Sequence, residues 1–253
     1  MIVIYITGDC HADFHRFNKE NFPEQKEMNK DDYVIICGDF GGVWAKDEES
    51  AAERWWMDWM EELPFTTLFV DGNHENFDRL NAYPVEEWHA GKVHKIRPSV
   101  IHLMRGQVYE LQGKIFFTFG GAQSHDISGG ILELDDPDLY EKRRKLMKSW
   151  KPYRINHLSW WKEEMPSEEE MEEGRKNLSK HDYQVDFIIT HCCATSTQFL
   201  LSGGMFKNDI LTDYLEEIRQ KTIFGKWMFG HYHENRSVNE KEILIYEQVH
   251  RIL

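Results

Sequence analysis

No stretch of the sequence approaches the roughly 20 consecutive apolar residues that a bilayer-crossing helix needs, no Cys-x-x-Cys pair occurs, and no repeat or low-complexity linker breaks the chain. The first absence argues against a membrane protein. The second sets aside zinc knuckles and dithiol redox sites of the usual spacing, since the cysteines are Cys10, Cys37, Cys192 and Cys193. They read as reduced, small fillers in a reducing compartment. The third leaves one domain as the expectation, because 253 residues with 41% hydrophobic content suffice for one large core. Positive charge is scarce as well. A formal net charge of -14 argues against a broad cationic face gripping nucleic acid, although a local basic site stays open. The opening MIVIYITGDC has no basic segment ahead of its short apolar run. It reads as a first strand and not a signal peptide, and the expected location is cytoplasmic with no membrane partner.

What the sequence does have is a set of short apolar runs that stop abruptly at polar residues. Ile2 to Ile6 runs into Gly8-Asp9, Tyr33 to Cys37 into Gly38-Asp39, and Thr67 to Val70 into Asp71-Gly72-Asn73-His74. Val185 to Ile189 meets Thr190-His191, and Lys226 to Phe229 meets Gly230-His231. Such runs predict buried strands. Between them Glu49 to Leu63 carries Trp55, Trp56, Trp59 and Met60 at helical spacing. Strands alternating with helices predict an α/β layered fold, in which ligands gather beyond the carboxyl ends of the strands. The middle, Lys92 to Phe119, alternates like strands and turns and predicts a second, partly antiparallel sheet.

Between about 135 and 180 the composition changes. Lys142-Arg143-Arg144-Lys145, Lys148, Lys151 and Arg154 are followed by an acidic stretch from Glu163 to Glu173, and Ser167 with Glu170 makes a capping box. The region reads as a helical insertion within the single domain. Its basic part, 142 to 154, either forms a solvated helix face or holds a second phosphate or a nucleic-acid backbone.

Chemistry-bearing residues gather where the apolar runs end. Asp9-Cys10-His11 places two side chains on one side of a strand end, within reach of one metal ion, yet at this composition about one such pair arises by chance. The same holds for His231-Tyr232-His233. Gly72-Asn73-His74-Glu75 is far more specific, with about 0.004 occurrences expected by chance. In order, Asp9-x-His11, Gly38-Asp39, Gly72-Asn73-His74-Glu75, Thr190-His191 and Gly230-His231-x-His233 each begin where a run stops.

In motif identity, order and spacing this resembles the calcineurin-like metallophosphoesterase superfamily across residues 9 to 233. The resemblance implies two mixed sheets packed face to face and flanked by helices, a four-layer sandwich. It further implies a first metal ion on Asp9, His11, Asp39 and His233, and a second on Asp39, Asn73, His191 and His231, with Asp39 bridging. Mixed oxygen and nitrogen donors suit Mn²⁺, Fe²⁺ or Zn²⁺ better than a calcium-type oxygen cage. Two such cations lower the pKa of a shared water to give hydroxide near neutral pH and clamp the phosphoryl oxygens. His74 falls outside the ligand set of the family pattern. It is therefore the expected catalytic general acid, oriented by a carboxylate, with Asp71 and Glu75 near in sequence.

Two departures from the family matter. The phosphatase-type motif carries an arginine after Gly-Asp, where this chain reads Gly38-Asp39-Phe40-Gly41-Gly42-Val43-Trp44. The residue after Thr190-His191-Cys192 is Cys193, where many relatives carry a second histidine nearby. The missing arginine leaves the phosphate clamp to Arg79, Arg143, Arg144 or Arg154. His125 and Asp126, after Gly120-Gly121-Ala122, are further candidates for the substrate pocket, and Trp44, Trp160 and Trp161 for stacking on a base or sugar. The expected activity is hydrolysis of a phosphate ester, diester before monoester, of a small metabolite or nucleotide. The rivals are a nuclease guided by residues 142 to 154, with nucleic acid the less favoured partner, and a non-catalytic scaffold, which the retained ligand set and His74 disfavour.

Overall fold

Alternation along the short strands decides how the layers stack, and the computed structural model describes residues 2–253. In order the elements are β1 (Ile4–Thr7), β2 (Tyr33–Ile36), α1 (Ala51–Glu62), β3 (Thr66–Phe69), α2 (Phe77–Leu80), β4 (Val85–Trp88), β5 (Gly91–Arg97), β6 (Val100–Leu103), β7 (Gln107–Leu111) and β8 (Lys114–Phe119). There follow β9 (Ile131–Leu132), α3 (Leu139–Lys148), β10 (Arg154–Ile155), α4 (Glu168–Lys180), β11 (Gln184–Thr190), α5 (Thr195–Ser202), α6 (Ile210–Lys221), β12 (Ile223–Phe229), β13 (Arg236–Ser237), β14 (Glu242–Leu244) and β15 (His250–Arg251).

One large sheet has the order β15-β1-β2-β3-β6-β5-β4, and the other β13-β14-β12-β11-β8-β7. Each has parallel strands at its centre and antiparallel ones at its margins. Ile4 and Ile6 of β1, with Ile35 and Leu68, meet Phe116, Phe187, Ile189 and Met228 of the other sheet in a shared core. The intervening residues face outward. Tyr5, Val34, Ile36 and Phe69 pack with Met57 and Met60 of α1, and Phe117, Ile188 and Trp227 pack with Met171 and Leu178 of α4 and with Leu211, Leu215 and Ile218 of α6. The result is helix, sheet, sheet, helix: the expected four-layer sandwich.

The middle segment departs from expectation. Only β7 and β8 enter the second sheet, while β5 and β6 extend the first, β6 lying parallel to β3 with Thr67 opposite Val100. Burial drives this, since Ile101 and Leu103 reach the inter-sheet core from there. The chain then crosses between sheets through Gly106, whose φ of +70 and contact with the α4 backbone leave no room for a side chain.

Within 135 to 180 two unlike helices occur. α4 starts with the expected Ser167–Glu170 capping box and buries Met171 and Leu178. α3 buries none of its side chains and is bracketed by β9 and β10, which pair in parallel. Among the described residues no helix is long and apolar enough to cross a membrane.

Candidate metal centre

The polar residues sit where the parallel strands of both sheets end, and the backbone there is strained. His11, Asp39, His231 and His233 all have positive φ, between 45° and 71°, a region that costs a non-glycine residue on the order of 1 kcal/mol or more. Asp39 is reached through Gly38, also at positive φ, where a Cβ would overlap the His191 ring. A Cβ at Gly72 would likewise overlap the Asp39 carboxylate. These glycines let two strand ends from one sheet approach the histidine of the other.

The first donor group consists of Asp9, His11, Asp39 and His233, whose candidate ligand atoms all lie within 4.8 Å of one another. His11 Nε2 lies 3.0 Å from His233 Nε2 and 3.6 Å from Asp39 Oδ2. Asp9 Oδ1 accepts a hydrogen bond from the His231 backbone N–H at 3.0 Å. Asp9 Oδ2 lies 3.1 Å from His233 Nε2, but off the hydrogen-bonding direction, so this buried oxygen has no hydrogen-bond partner. A buried unpaired acceptor costs roughly 1–3 kcal/mol, more when charged. An oxygen of this kind, aimed into a cluster of imidazole nitrogens, fits a divalent cation.

The second donor group is looser. His191, fully buried, donates from Nδ1 to the Cys37 carbonyl at 2.8 Å, so Nε2 faces Asp39 Oδ1 and Asn73 Oδ1, both at 3.4 Å. That is the tautomer a metal-binding imidazole adopts when a backbone carbonyl fixes its other nitrogen. His231 packs edge-on to His191 with ring centroids 5.0 Å apart, and its Nε2 is taken up by His125 Nε2 at 2.8 Å. Nδ1 is the remaining donor of His231. Burial disfavours charge on His191, but the Asp39 carboxylate overrides it and carries the imidazole up to about 10. Burial opposes ionisation of Asp39 as well, and His191, His74 and His11 reverse that, holding it well below the usual carboxylate range. A cation bound here displaces that proton.

His74 stands at the rim of this group. Its backbone N–H donates to Asp39 Oδ1 at 2.8 Å. Its ring lies edge-on to His11 at 4.7 Å and stacks on Trp44 at 5.9 Å. The expected carboxylate partner is not there. Glu75 accepts from the backbone of Phe40 at 2.7 Å, and Asp71 pairs with Arg105 and His102. Ring packing holds His74 instead, and burial lowers its basicity against the pull of the Asp39 carboxylate, with His11 and then Arg154 adding to the lowering.

Of the other sequence-derived candidates, His125 joins the centre through His231. Asp126 pairs with Arg154 at 2.5 Å, and Arg154 is near enough to act on His74. Arg143 donates to the Tyr153 hydroxyl at 3.0 Å on the outer helix α3, where Arg144 is exposed. Arg79 is drawn to the protein, its Nη1 donating to Glu53 at 2.8 Å and to the Ala45 carbonyl at 3.0 Å. Trp161 is core, with its indole N–H on Asp78, so of the tryptophans singled out for stacking Trp44 is the one packed against His74. All four thiols are free and buried, and burial pushes Cys10 up to about 12.

Sequence reading missed the supports. Asn73 donates from Nδ2 to Ser124 Oγ at 3.5 Å, and Ser124 donates from Oγ to Glu164 at 2.6 Å, which turns Asn73 Oδ1 toward the centre. Tyr246 stacks on His233 at 4.8 Å. Arg16 donates to the carbonyls of Asp9 and Tyr246 at 2.5 and 2.8 Å, tying the end of β1 in place. None lies next to its partner in the chain, so no motif announces it.

Comparison with known proteins agrees with this geometry. The model of the calcineurin-like phosphoesterase family matches residues 2–235. Lariat debranching enzyme A of Xenopus laevis is 25% identical over 143 residues, 51% of this chain and 26% of that protein. The lariat debranching enzyme of Danio rerio is 24% identical over 143 residues, 51% of this chain and 24% of its own. The alignments thus span about a quarter of the relatives' length. Strand-end donors, sandwich and family match converge on one statement: the chain belongs to the calcineurin-like phosphoesterase family.

Proposed function

We propose that the chain hydrolyses a phosphodiester at a centre of two divalent cations, one held by Asp9, His11, Asp39 and His233 and the other by Asp39, Asn73, His191 and His231. The observation that carries this is the buried Asp9 Oδ2, left without a hydrogen bond among converging imidazole nitrogens. Bound there, such cations acidify water and draw charge from the phosphoryl oxygens. The protein's own part is positioning and proton delivery. As the water oxygen bonds to phosphorus and the bond from phosphorus to the leaving oxygen breaks, His74 gives its ring proton to that oxygen. Its lowered basicity makes the proton easier to surrender, while the arriving phosphate anion favours the protonated ring.

The diester preference follows from charge. A monoester dianion carries one more negative charge than a diester, yet residues 40 to 44 supply no cation, Arg79 is paired with Glu53, and Arg154 is paired with Asp126. The single-domain reading, with 135 to 180 as its insertion, belongs to the same proposal.

The test is hydrolysis of bis-p-nitrophenyl phosphate and p-nitrophenyl phosphate by protein loaded in turn with Mn²⁺, Fe²⁺ and Zn²⁺. Chelator-sensitive activity, faster on the diester, is expected. Activity that persists after complete metal removal would overturn the reading.

A second reading, a nuclease, draws on one observation. α3 buries no side chain, and among the described residues its Arg144, Lys145 and Lys148 have no ion pair, although the chain is acidic overall. Exposed Tyr140 and Trp150 lie beside them. Basic residues interleaved with aromatics suit a single-stranded backbone, as does the similarity to enzymes named for lariat debranching. Metal-dependent cleavage of single-stranded RNA that weakens steeply with salt and with Lys145→Glu would decide for it.

A further inference from the structure

Beside the donor cluster is a cavity of about 360 Å³ that is separate from the cation ligands except at one end. His11 and His74 form that end, Trp44 and Trp56 line the sides, and Gly41 and Gly42 contribute bare backbone. Its size falls in the range of small-molecule sites. We propose that this cavity receives the leaving group and that it selects a planar aromatic or heteroaromatic one, such as a nucleobase or an aryl ring. The inference rests on the hydrolase reading for the direction of the reaction, but the pocket itself is defined by contacts among its own residues.

The position argues for the leaving group. His74 is the residue placed to protonate the departing oxygen, and it forms part of the cavity wall. Whatever that oxygen carries must therefore extend past His74, toward Trp44 and Trp56. The product alcohol is released on this side, and the phosphate stays on the side of the cations.

The chemistry of the walls argues for a planar ring. The carboxylate that borders the cavity, Glu53, is already engaged by the protein. Glu53 accepts from the backbone N–H of Trp44 and Ala45 at 2.5 and 2.9 Å, from Ser50 at 2.7 Å, and from Arg79 at 2.8 Å. Asn76 donates to the Ala45 carbonyl at 2.8 Å. These bonds staple the 44–46 loop to the start of α1 and fix the Trp44 backbone. Trp56 is backed by Phe14, edge-on at 5.5 Å, and by His15 at 5.0 Å. What remains to meet a guest is ring faces, methyl groups, glycine backbone and the indole N–H groups of Trp44 and Trp56, with imidazole nitrogens at the catalytic end. A polyhydroxylated or charged leaving group would lose most of its hydration here with few groups to replace it, whereas an aromatic ring gains stacking on walls held in place before it arrives.

Two measurements test the pocket. In metal-free protein, saturation-transfer NMR is run with adenosine, benzyl alcohol and cyclohexanol. The planar compounds should receive saturation and cyclohexanol should not, and adenosine against benzyl alcohol tells a nucleobase from a simple aryl group. Ala52, exposed on α1 at the mouth of the cavity, offers a substitution that fills the space without touching the core, and Ala52→Trp should abolish the transfer. In metal-loaded protein, the ratio of kcat/KM for methyl benzyl phosphate to that for methyl cyclohexylmethyl phosphate should be roughly tenfold above unity, the scale of one stacked ring. It should collapse toward unity in Ala52→Trp and in Trp56→Ala, with melting temperature and metal content reported for both. Binding that persists in a protein without metal-dependent activity would keep the pocket and remove the hydrolase reading. Equal saturation of cyclohexanol and benzyl alcohol, or transfer undiminished in Ala52→Trp, would overturn the proposal.

Discussion

Two clusters of buried aspartate and histidine lie a few residues apart in this molecule, and they are finished differently. In one, Asp71 accepts at Oδ1 from His102 Nε2 at 3.1 Å and at Oδ2 from Arg105 Nε at 2.8 Å and Nη2 at 2.5 Å, while Arg105 also donates to the Glu163 carbonyl at 2.8 Å. Every charge there has its partner. In the other, Asp9 and Asp39 face only histidines, no arginine or lysine closes the group, and Asp9 Oδ2 is left without a hydrogen bond. The same residue types thus build a closed structural pair and an open centre. The difference is the guanidinium, which the chain supplies at Asp71 and does not supply at Asp9 and Asp39.

The largest effect expected from that contrast is on catalysis. Asp39→Asn removes the one carboxylate shared by both donor groups and should reduce kcat/KM on bis-p-nitrophenyl phosphate by roughly a thousandfold or more, the scale of losing a central electrostatic contact. Metal content, measured by plasma emission, should fall with it. Full activity in Asp39→Asn would mean the open cluster is not the centre.

Next is Asp71→Leu, which leaves the buried Arg105 with only the partly exposed Glu170, at 3.4 Å, as a charged partner. Breaking one side of a buried pair costs about 3–5 kcal/mol, so urea unfolding of the metal-free protein should show a loss of that order. Activity per folded molecule should change far less than in Asp39→Asn. A variant as stable as the parent would show that the closed cluster contributes nothing the rest of the core does not.

The sequence announced the open cluster and not the closed one, for a physical reason. Strand-end exits need local glycine and short polar motifs, so Asp9, Asp39, Asn73 and His231 appear in fixed sequence contexts, and the buried runs before them foretold β1, β2, β3, β11 and β12. Arg105 and His102 serve Asp71 from more than 30 positions away, and nothing beside Asp71 signals them. The same distance hid Ser124 and Glu164 behind Asn73. The assignment of β5 and β6 to the first sheet was hidden too, because alternation sets which face is buried but not which sheet a strand joins.

Metal removal should separate the clusters at a smaller scale. A ligand that binds only the folded state at a hundred times its dissociation constant stabilises by about 2.7 kcal/mol, which in a chain of this size raises the melting temperature by about 5–10 °C. Adding Mn²⁺ to chelated protein should produce such a rise in the parent and in Asp71→Leu alike, and little of it in Asp9→Asn. A rise in Asp9→Asn equal to the parent's would place the cation elsewhere.

The smallest effect is on the acid limb of stability. Burial opposes ionisation of Asp71, but Arg105 and His102 override it and hold the carboxyl well below its usual range. A carboxyl depressed in the fold and ordinary in the unfolded chain binds fewer protons when folded. Its contribution is therefore complete above the unfolded value of about 3.9 and is lost as pH falls below it. Urea unfolding of metal-free protein from pH 6 to pH 3 should thus give a steeper decline in the parent than in Asp71→Asn, which no longer has that proton to take up. If both decline with the same slope, the acid sensitivity arises at other carboxylates, and the closed pair is held by packing more than by its charges.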